Sequence, residues 1–364
     1  MSSFTSSDAF AAELAEGPAP LLPRYRRPLT FGAILDETFR IFRRAWRPLM
    51  LALAAAAIPI GLITAVWSAA FSGSFFQSLD AGSAATAEGD FGPLANLYGT
   101  IYGGLFGIGL LSALFLAPAY AAVVYLTDGE LRGRPIPVTD ALKRGLRVTP
   151  RLLLSGLLFF VLSLLLLIAS TLALLLWVIP GLFGLTPLIG ILVWWGNPRA
   201  RQAWLCWLII LTTPLGLLIY FAYRWILSLP AIALDGSGPV EAISRSQTLT
   251  RGHWFRLFGS STVLGIISSV LQAVPTWIVT AIAAGISFFV AFNQAGAGNA
   301  GGGDPIGLMT SVYTVTNIAS AAAQALGMAL VGAIPPIALT LLYQDLRNRH
   351  EGADLAERLD AVTL

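Results

Sequence analysis

The chain has 364 residues, of which 56% are hydrophobic and 11% charged, with 22 Lys and Arg against 19 Asp and Glu for a net charge of +3. A soluble domain runs about 25% charged, so this much apolar surface has no water-soluble solution, and so small a net charge gives no nucleic-acid footprint. The single cysteine, Cys206, sits in an apolar run and excludes an intrachain disulfide framework and a thiolate metal cluster.

Residues 1–23 are rich in Ser, Ala, Glu and Pro and lack the basic start and apolar core of a signal peptide, which predicts a disordered cytoplasmic tail reaching to residue 28. From Thr30, as cap, Phe31, Ile34, Leu35, Phe39 and Phe42 alternate at helical spacing with Arg40, Arg43, Arg44 and Arg47. Such a helix is expected to lie in the membrane interface with its arginines toward anionic headgroups. Residues 49–71 carry no charge and are long enough to span about 30 Å of hydrocarbon. A polar loop with Asp80, Glu88 and Asp90 follows, and residues 99–126 return as a second span. In that span Gly103 and Gly107, then Gly109, Ala113, Ala117 and Ala121, recur every fourth residue, a stripe expected to let a neighbouring helix approach closely within the molecule.

Pro137 to Arg151, with Asp140, Lys143, Arg144 and Arg147, predicts a second short basic helix leading into a span at 152–178. The piece from Gly181 to Gly196 is short for a crossing, whereas 203–222 is long enough. If the short piece does not cross, every Lys and Arg except Arg199 and Arg201 faces the cytoplasm, while the loops at 72–98 and 290–308 hold none. The expected topology is therefore six full crossings with both termini inside and a re-entrant or interfacial piece near 181–196.

Residues 235–256 form a polar island between apolar runs. They read as a third basic helix with both ends specified: Gly238 before Pro239 at the first helical position, Glu241 in the first turn, and Gly252 as a left-handed cap. Trp254, Phe255 and Arg256 follow as an aromatic and basic collar at headgroup depth, and 257–292 is a fifth span. Glu37, Asp140 and Glu241 fall about a hundred residues apart, each before a basic run and a span, so three copies of one helix-plus-hairpin unit are expected. Gly296 to Gly301 spells G-x-G-x-x-G, but it follows a span rather than a strand and reads as a flexible loop. The last span, 309–343, has Ala325, Ala329 and Ala333 at packing spacing and a kink expected at Pro335-Pro336; it ends in a charged segment beginning Tyr343-Gln-Asp-Leu-Arg.

The two histidines, His253 and His350, are not at metal-ligand spacing, and Ser244 and Ser246 have no base and orienter in a sequence signature, so no catalytic set, metal or cofactor is assigned. The spans hold no Asp, Glu, Lys or Arg beyond Arg224 and Asp235 at one end, which weakens ion-coupled transport. Arginine supplies all the basic residues except Lys143.

Residues 238–256 resemble the membrane domain associated with glycerophosphoryl diester phosphodiesterases and its stand-alone bacterial relatives, through Glu241, Ala242, Arg245, Ser246, Leu249, Gly252, Trp254 and Arg256. Tyr343, Asp345, Leu346, Arg347, Arg349, Glu351, Gly352 and Asp354 are similar to that family's closing pattern, and with the helix at 30–47 the likeness runs from about residue 28 to 358. The family takes its name from proteins in which this domain precedes a hydrolase barrel. That barrel's paired histidines and metal-binding acids have no counterpart in this sequence, so the resemblance implies an integral membrane protein and not the phosphodiesterase activity.

The expected fold is all-α: a polytopic transmembrane bundle of about six spans with three cytoplasmic interfacial helices, in a domain at 29–345 followed by a cytoplasmic tail at 346–364. The expected role is a non-enzymatic scaffold or lipid-associated protein of the inner membrane. Its partners are membrane lipids with anionic headgroups, with no nucleic acid and no named protein partner. The alternative is a transporter or lipid permease with a cavity at proline-broken helices, near Pro187, Pro214 and Pro335-Pro336. The motif and interfacial candidates are Glu241, Arg245, Ser246, Gly252, Trp254, Arg256, Asp345, Arg347, Arg349 and Glu351.

Overall fold

The computed structural model describes residues 22, 25, 28–87, 91–182, 216–297 and 305–351. In chain order the helices are α1 (Phe31–Arg44), α2 (Trp46–Ala87), α3 (Gly92–Leu131), α4 (Val138–Leu182), α5 (Ser228–Asp235), α6 (Pro239–Thr250), α7 (Trp254–Ala297), α8 (Pro305–Val331) and α9 (Ile334–Glu351). Residues 216–225 are also helical, and no strand occurs among the described residues. Six stretches among them are long and apolar enough to cross a membrane: Trp46–Phe76, Ala95–Leu131, Val138–Ala169, Gly216–Asp235, Trp254–Val290 and Met309–His350. Among the described residues this is the expected all-helical architecture with six candidate spans, the fourth described from Gly216 onward. The piece at 183–196, Arg199, Arg201 and Cys206 lie outside the described residues.

The need for lipid shows on the surface. Trp277, Phe288, Phe292 and Ile266 are all more than half exposed along α7, and Leu157, Leu165 and Leu167 are so along α4. Rows of exposed large apolar side chains on helices this long are stable only in hydrocarbon.

The chain divides into two compact units, Met1–Thr149 with Gly259–Leu364, and Pro150–Phe258. In the first unit α2 packs against α3 and α8, while α9 packs against α1 and α3. The core gathers where the start of α2, the end of α3 and the start of α9 meet, with Leu49, Leu53, Val123, Leu126, Ile337 and Leu341 fully buried or nearly so. Close approach depends on particular glycines. A Cβ on Gly145 would collide with the Pro118 carbonyl oxygen, and one on Gly61 would stand 2.8 Å from the Ala325 Cβ. The indole of Trp67 covers Gly104 so tightly that no side chain fits there.

Several expectations need correction. The expected small-residue stripe of α3 is packed only toward its end, where Ala121 is fully buried; its glycines Gly103, Gly107 and Gly109 meet nothing, whereas Gly104 takes the Trp67 ring. The polar loop at 72–98 is mostly helix, because α2 runs on to Ala87 and α3 starts at Gly92. The second basic helix is not separate, since α4 is continuous from Val138 to Leu182 through Pro150. The apolar face of α1 is partly covered by protein, with Phe31 exposed and Leu35, Phe39 and Phe42 half-buried. Ile34 and Ile41 are buried by protein, and Glu37 sits in mid-helix on that buried face rather than in the first turn. The three stretches proposed as repeats therefore do not share one local structure. Pro335 and Pro336 do not kink a continuous span. The helix breaks at Gly332-Ala333, and the two prolines occupy the first turn of α9, where their missing N–H groups cost nothing.

Candidate functional site

The motif candidates form two clusters, one in each unit. The second unit holds the 238–256 group. Gly236, with φ +67°, ends α5, and Gly238 caps α6, its N–H donating to the Glu241 carboxylate at 3.3 Å. Gly252, with φ +80°, stands between α6 and α7. These are the local signals read from the sequence, and each sits where its chemistry requires: an acid against the positive helix end and a residue without Cβ in the left-handed region.

The fastening of α6 is less local. Where the helical stretch 216–225 ends, the buried Ser246 hydroxyl donates to the Arg224 carbonyl oxygen at 2.6 Å. The Arg224 guanidinium lies over the Tyr220 ring, 5.4 Å from its centroid, and donates to the Tyr220 hydroxyl at 3.1 Å and the Gln247 carbonyl at 3.5 Å. Arg245 pairs with Asp235 at 3.1 Å, tying α6 to α5, while Arg151 Nη1 donates to the Gly236 carbonyl at 2.5 Å. Trp254 stacks on Phe258 with centroids 5.1 Å apart and donates through Nε1 to the Tyr220 carbonyl at 3.3 Å. The collar is thus a packed aromatic cluster at the start of α7 in which Arg256 is half-buried. Phe255 alone points out, at 83% exposure.

The C-terminal candidates do different work in the first unit. The Asp345 side chain has no exposure; it accepts the Leu29 N–H at 2.7 Å and pairs with Arg349 at 3.1 Å. Arg349 in turn donates to the Leu29 carbonyl at 3.1 Å, and Asn348 donates to the Tyr25 carbonyl at 2.9 Å. The Tyr25 hydroxyl donates to Glu37 at 2.8 Å, and Glu37 pairs with Arg40 at 2.8 Å. Around the same end, Gln344 donates to Asp128, Arg132 pairs with Asp128, Arg44 pairs with Glu130, and the Leu22 N–H donates to the Leu131 carbonyl. Together these residues clasp the segment before α1 onto α9 and the end of α3. Arg347 is half-buried on α9, and Glu351 is its last residue.

In both clusters each polar group described above holds a helix end or another side chain. No group of three or more His, Cys, Asp or Glu suited to a metal occurs among the described residues. Sequence reasoning missed Tyr25, Leu29, Tyr220 and Asp128 as partners. The one available signal was the Asp128-Gly-Glu130 acid pair closing a long apolar run.

No curated protein matches the chain, and no solved structure does. The entire 220–256 cluster nevertheless falls within residues 200–294, which match the family model of the membrane domain of glycerophosphoryl diester phosphodiesterase; this part of an integral, multi-pass membrane protein is similar to that domain, and the hydrolase domain is not matched.

Proposed function

We propose that the protein is a non-enzymatic scaffold of the cytoplasmic (inner) membrane that engages anionic lipid headgroups through cations set just before or at the start of its spans, with both termini cytoplasmic. The observation that carries this reading is a set of three side chains. Among the described residues Arg43, Lys143 and Arg251 are exposed and hold no ion pair, unlike Arg245 and Arg349, which are consumed by carboxylates. Each precedes or begins a candidate span, at Trp46, Val138 and Trp254. Residues 72–98 and 290–308 carry no Lys or Arg, which supports the cytoplasmic placement of the termini.

A basic residue near an anionic surface contributes about 1 kcal/mol, roughly a fivefold change in affinity. Purified protein in mixed nanodiscs is expected to retain phosphatidylglycerol over phosphatidylcholine, with R43Q, K143Q and R251Q each lowering that preference about fivefold. Equal retention of the two lipids by the unaltered protein refutes the reading. A second reading, a lipid permease, is favoured by one feature, a mostly apolar groove of about 430 Å³ among α2, α7 and α8 into which Thr64, Ser269, Gln272, Thr276 and Gln324 bring polar groups. Its expected sites at Pro187 and Pro214 lie outside the described residues.

A further inference from the structure

That groove lies in the first unit, in the middle third of the candidate spans Trp46–Phe76 and Trp254–Val290. It forms beside two close helix approaches, α2 to α8 at Gly61 and α8 to α7 at Gly327, where an added Cβ would stand 3.6 Å from the Gln272 carbonyl oxygen. The wall carries Thr64, Ser269, Gln272, Thr276 and Gln324, and Trp277 is on its rim.

Among the described residues no ionisable side chain lines the groove. A charged headgroup there would stay uncompensated at bilayer depth, which excludes phosphate, carboxylate and ammonium ligands. The amides are nevertheless only half used. Gln272 bonds Ser268 at 3.1 Å and Gln324 bonds Ser320 at 3.0 Å, each a neighbour on its own helix. Whichever way each amide is turned, its other end has no partner among the described residues, and neither does the Ser269 hydroxyl. Thr64 and Thr276 donate to carbonyls of their own helices at 2.9 and 2.8 Å, so their oxygens remain acceptors toward the groove. Two amide ends, one free hydroxyl and two further acceptors at this depth are costly unless a hydrogen-bonding molecule meets them. Trp277 is 75% exposed, so the groove opens sideways into lipid, and Ile60 and Met328 offer an apolar wall for a chain.

We propose that this groove is a binding site for an uncharged glyceride, a lipid with free hydroxyls and an ester on an acyl chain. The hydroxyls match the amide and threonine acceptors, the ester carbonyl matches Ser269, and the volume is within the range of ligand pockets. The proposal uses none of the cations of the headgroup reading and holds whether or not the lipid is moved.

The test uses the full chain in phosphatidylcholine nanodiscs with a chain-diazirine 1-monoacylglycerol as probe. Saturable labelling of the α7 and α8 peptides carrying Gln272 and Gln324 is expected. Competition by unlabelled 1-monooleoylglycerol should weaken about tenfold in Q272L/Q324L. S269F, which fills the groove from an exposed position, should abolish labelling in a protein of normal stability, so the outcome does not depend on the double variant folding. R43Q/K143Q/R251Q should leave labelling unchanged. Equal competition by oleate at alkaline pH or by dioleoylphosphatidylglycerol, or equal labelling by a diazirine alkane, overturns the proposal, and so does unaltered labelling in S269F.

Discussion

Asp345 and Arg349 allow a test in which the order of effects matters more than their size. The carboxylate is fully buried and accepts the Leu29 N–H at 2.7 Å, whereas the Arg349 side chain keeps 26% exposure. A hydrogen bond to a charged group contributes about 1.5–3 kcal/mol, and a pair with one partly hydrated member adds about 0–1. D345A is therefore expected to cost about 2–4 kcal/mol. D345N keeps an acceptor for Leu29 and should cost about 1–2 kcal/mol. R349A removes the hydratable partner and strands the buried carboxylate, so it should cost at least as much as D345A, about 3–5 kcal/mol at the upper limit. The double variant D345A/R349A removes the stranded charge as well and should be no less stable than R349A alone. Thermal unfolding in detergent, followed by tryptophan fluorescence, reads each step. The midpoint moves by about 2–4 °C per kcal/mol for domains of 150–250 residues and by less for a longer chain. Strictly additive losses in the double variant, or D345N as damaging as D345A, would refute this account of the clasp.

Three further outcomes follow from the geometry. G145V should destabilise by about 1–3 kcal/mol or more, because its Cβ collides with the Pro118 carbonyl, while G107A should be neutral; a matching loss in G107A, by the same melting assay, would restore the glycine part of the α3 stripe as an interface. G252A forces a Cβ into φ +80° and should cost about 1–2 kcal/mol with the α6–α7 junction loosened, seen as faster amide exchange at 251–254. In a C206A background, S244C should label from the cytoplasmic face only with an impermeant maleimide. Ser244 is the appropriate reporter because Ser246 is fully buried, and labelling from outside intact cells would reverse the proposed orientation.

The parts of this protein that were legible in the sequence are those governed by local chemistry. Pro239, Glu241 and Gly252 specify the ends of α6 without reference to anything distant, and the six apolar runs follow from solvent alone. The α4 boundary was misread because a basic stretch and an apolar stretch looked like two elements, yet no residue between Val138 and Leu182 stops the helix. The glycine part of the α3 stripe failed for a related reason. Spacing identifies a row of small residues but not whether a partner faces it, and Gly104, one residue from Gly103, points about 100° away. Leu29 and Asp345 are 316 positions apart and carry no local mark of each other. The half-used amides of Gln272 and Gln324 were invisible because two isolated glutamines on different apolar runs acquire meaning only when Gly61 and Gly327 bring their helices to one level.

The clasp also has a bearing on synthesis. While the ribosome is still making the middle of the chain, the backbone of Tyr25 and Leu29 lacks the side chains of Asn348, Asp345 and Arg349 that later receive it. These three hydrogen bonds can close only after α9 has emerged, so a polypeptide stalled before Asp345 leaves the Leu29 N–H and the Tyr25 and Leu29 carbonyls without the partners they have in the finished chain.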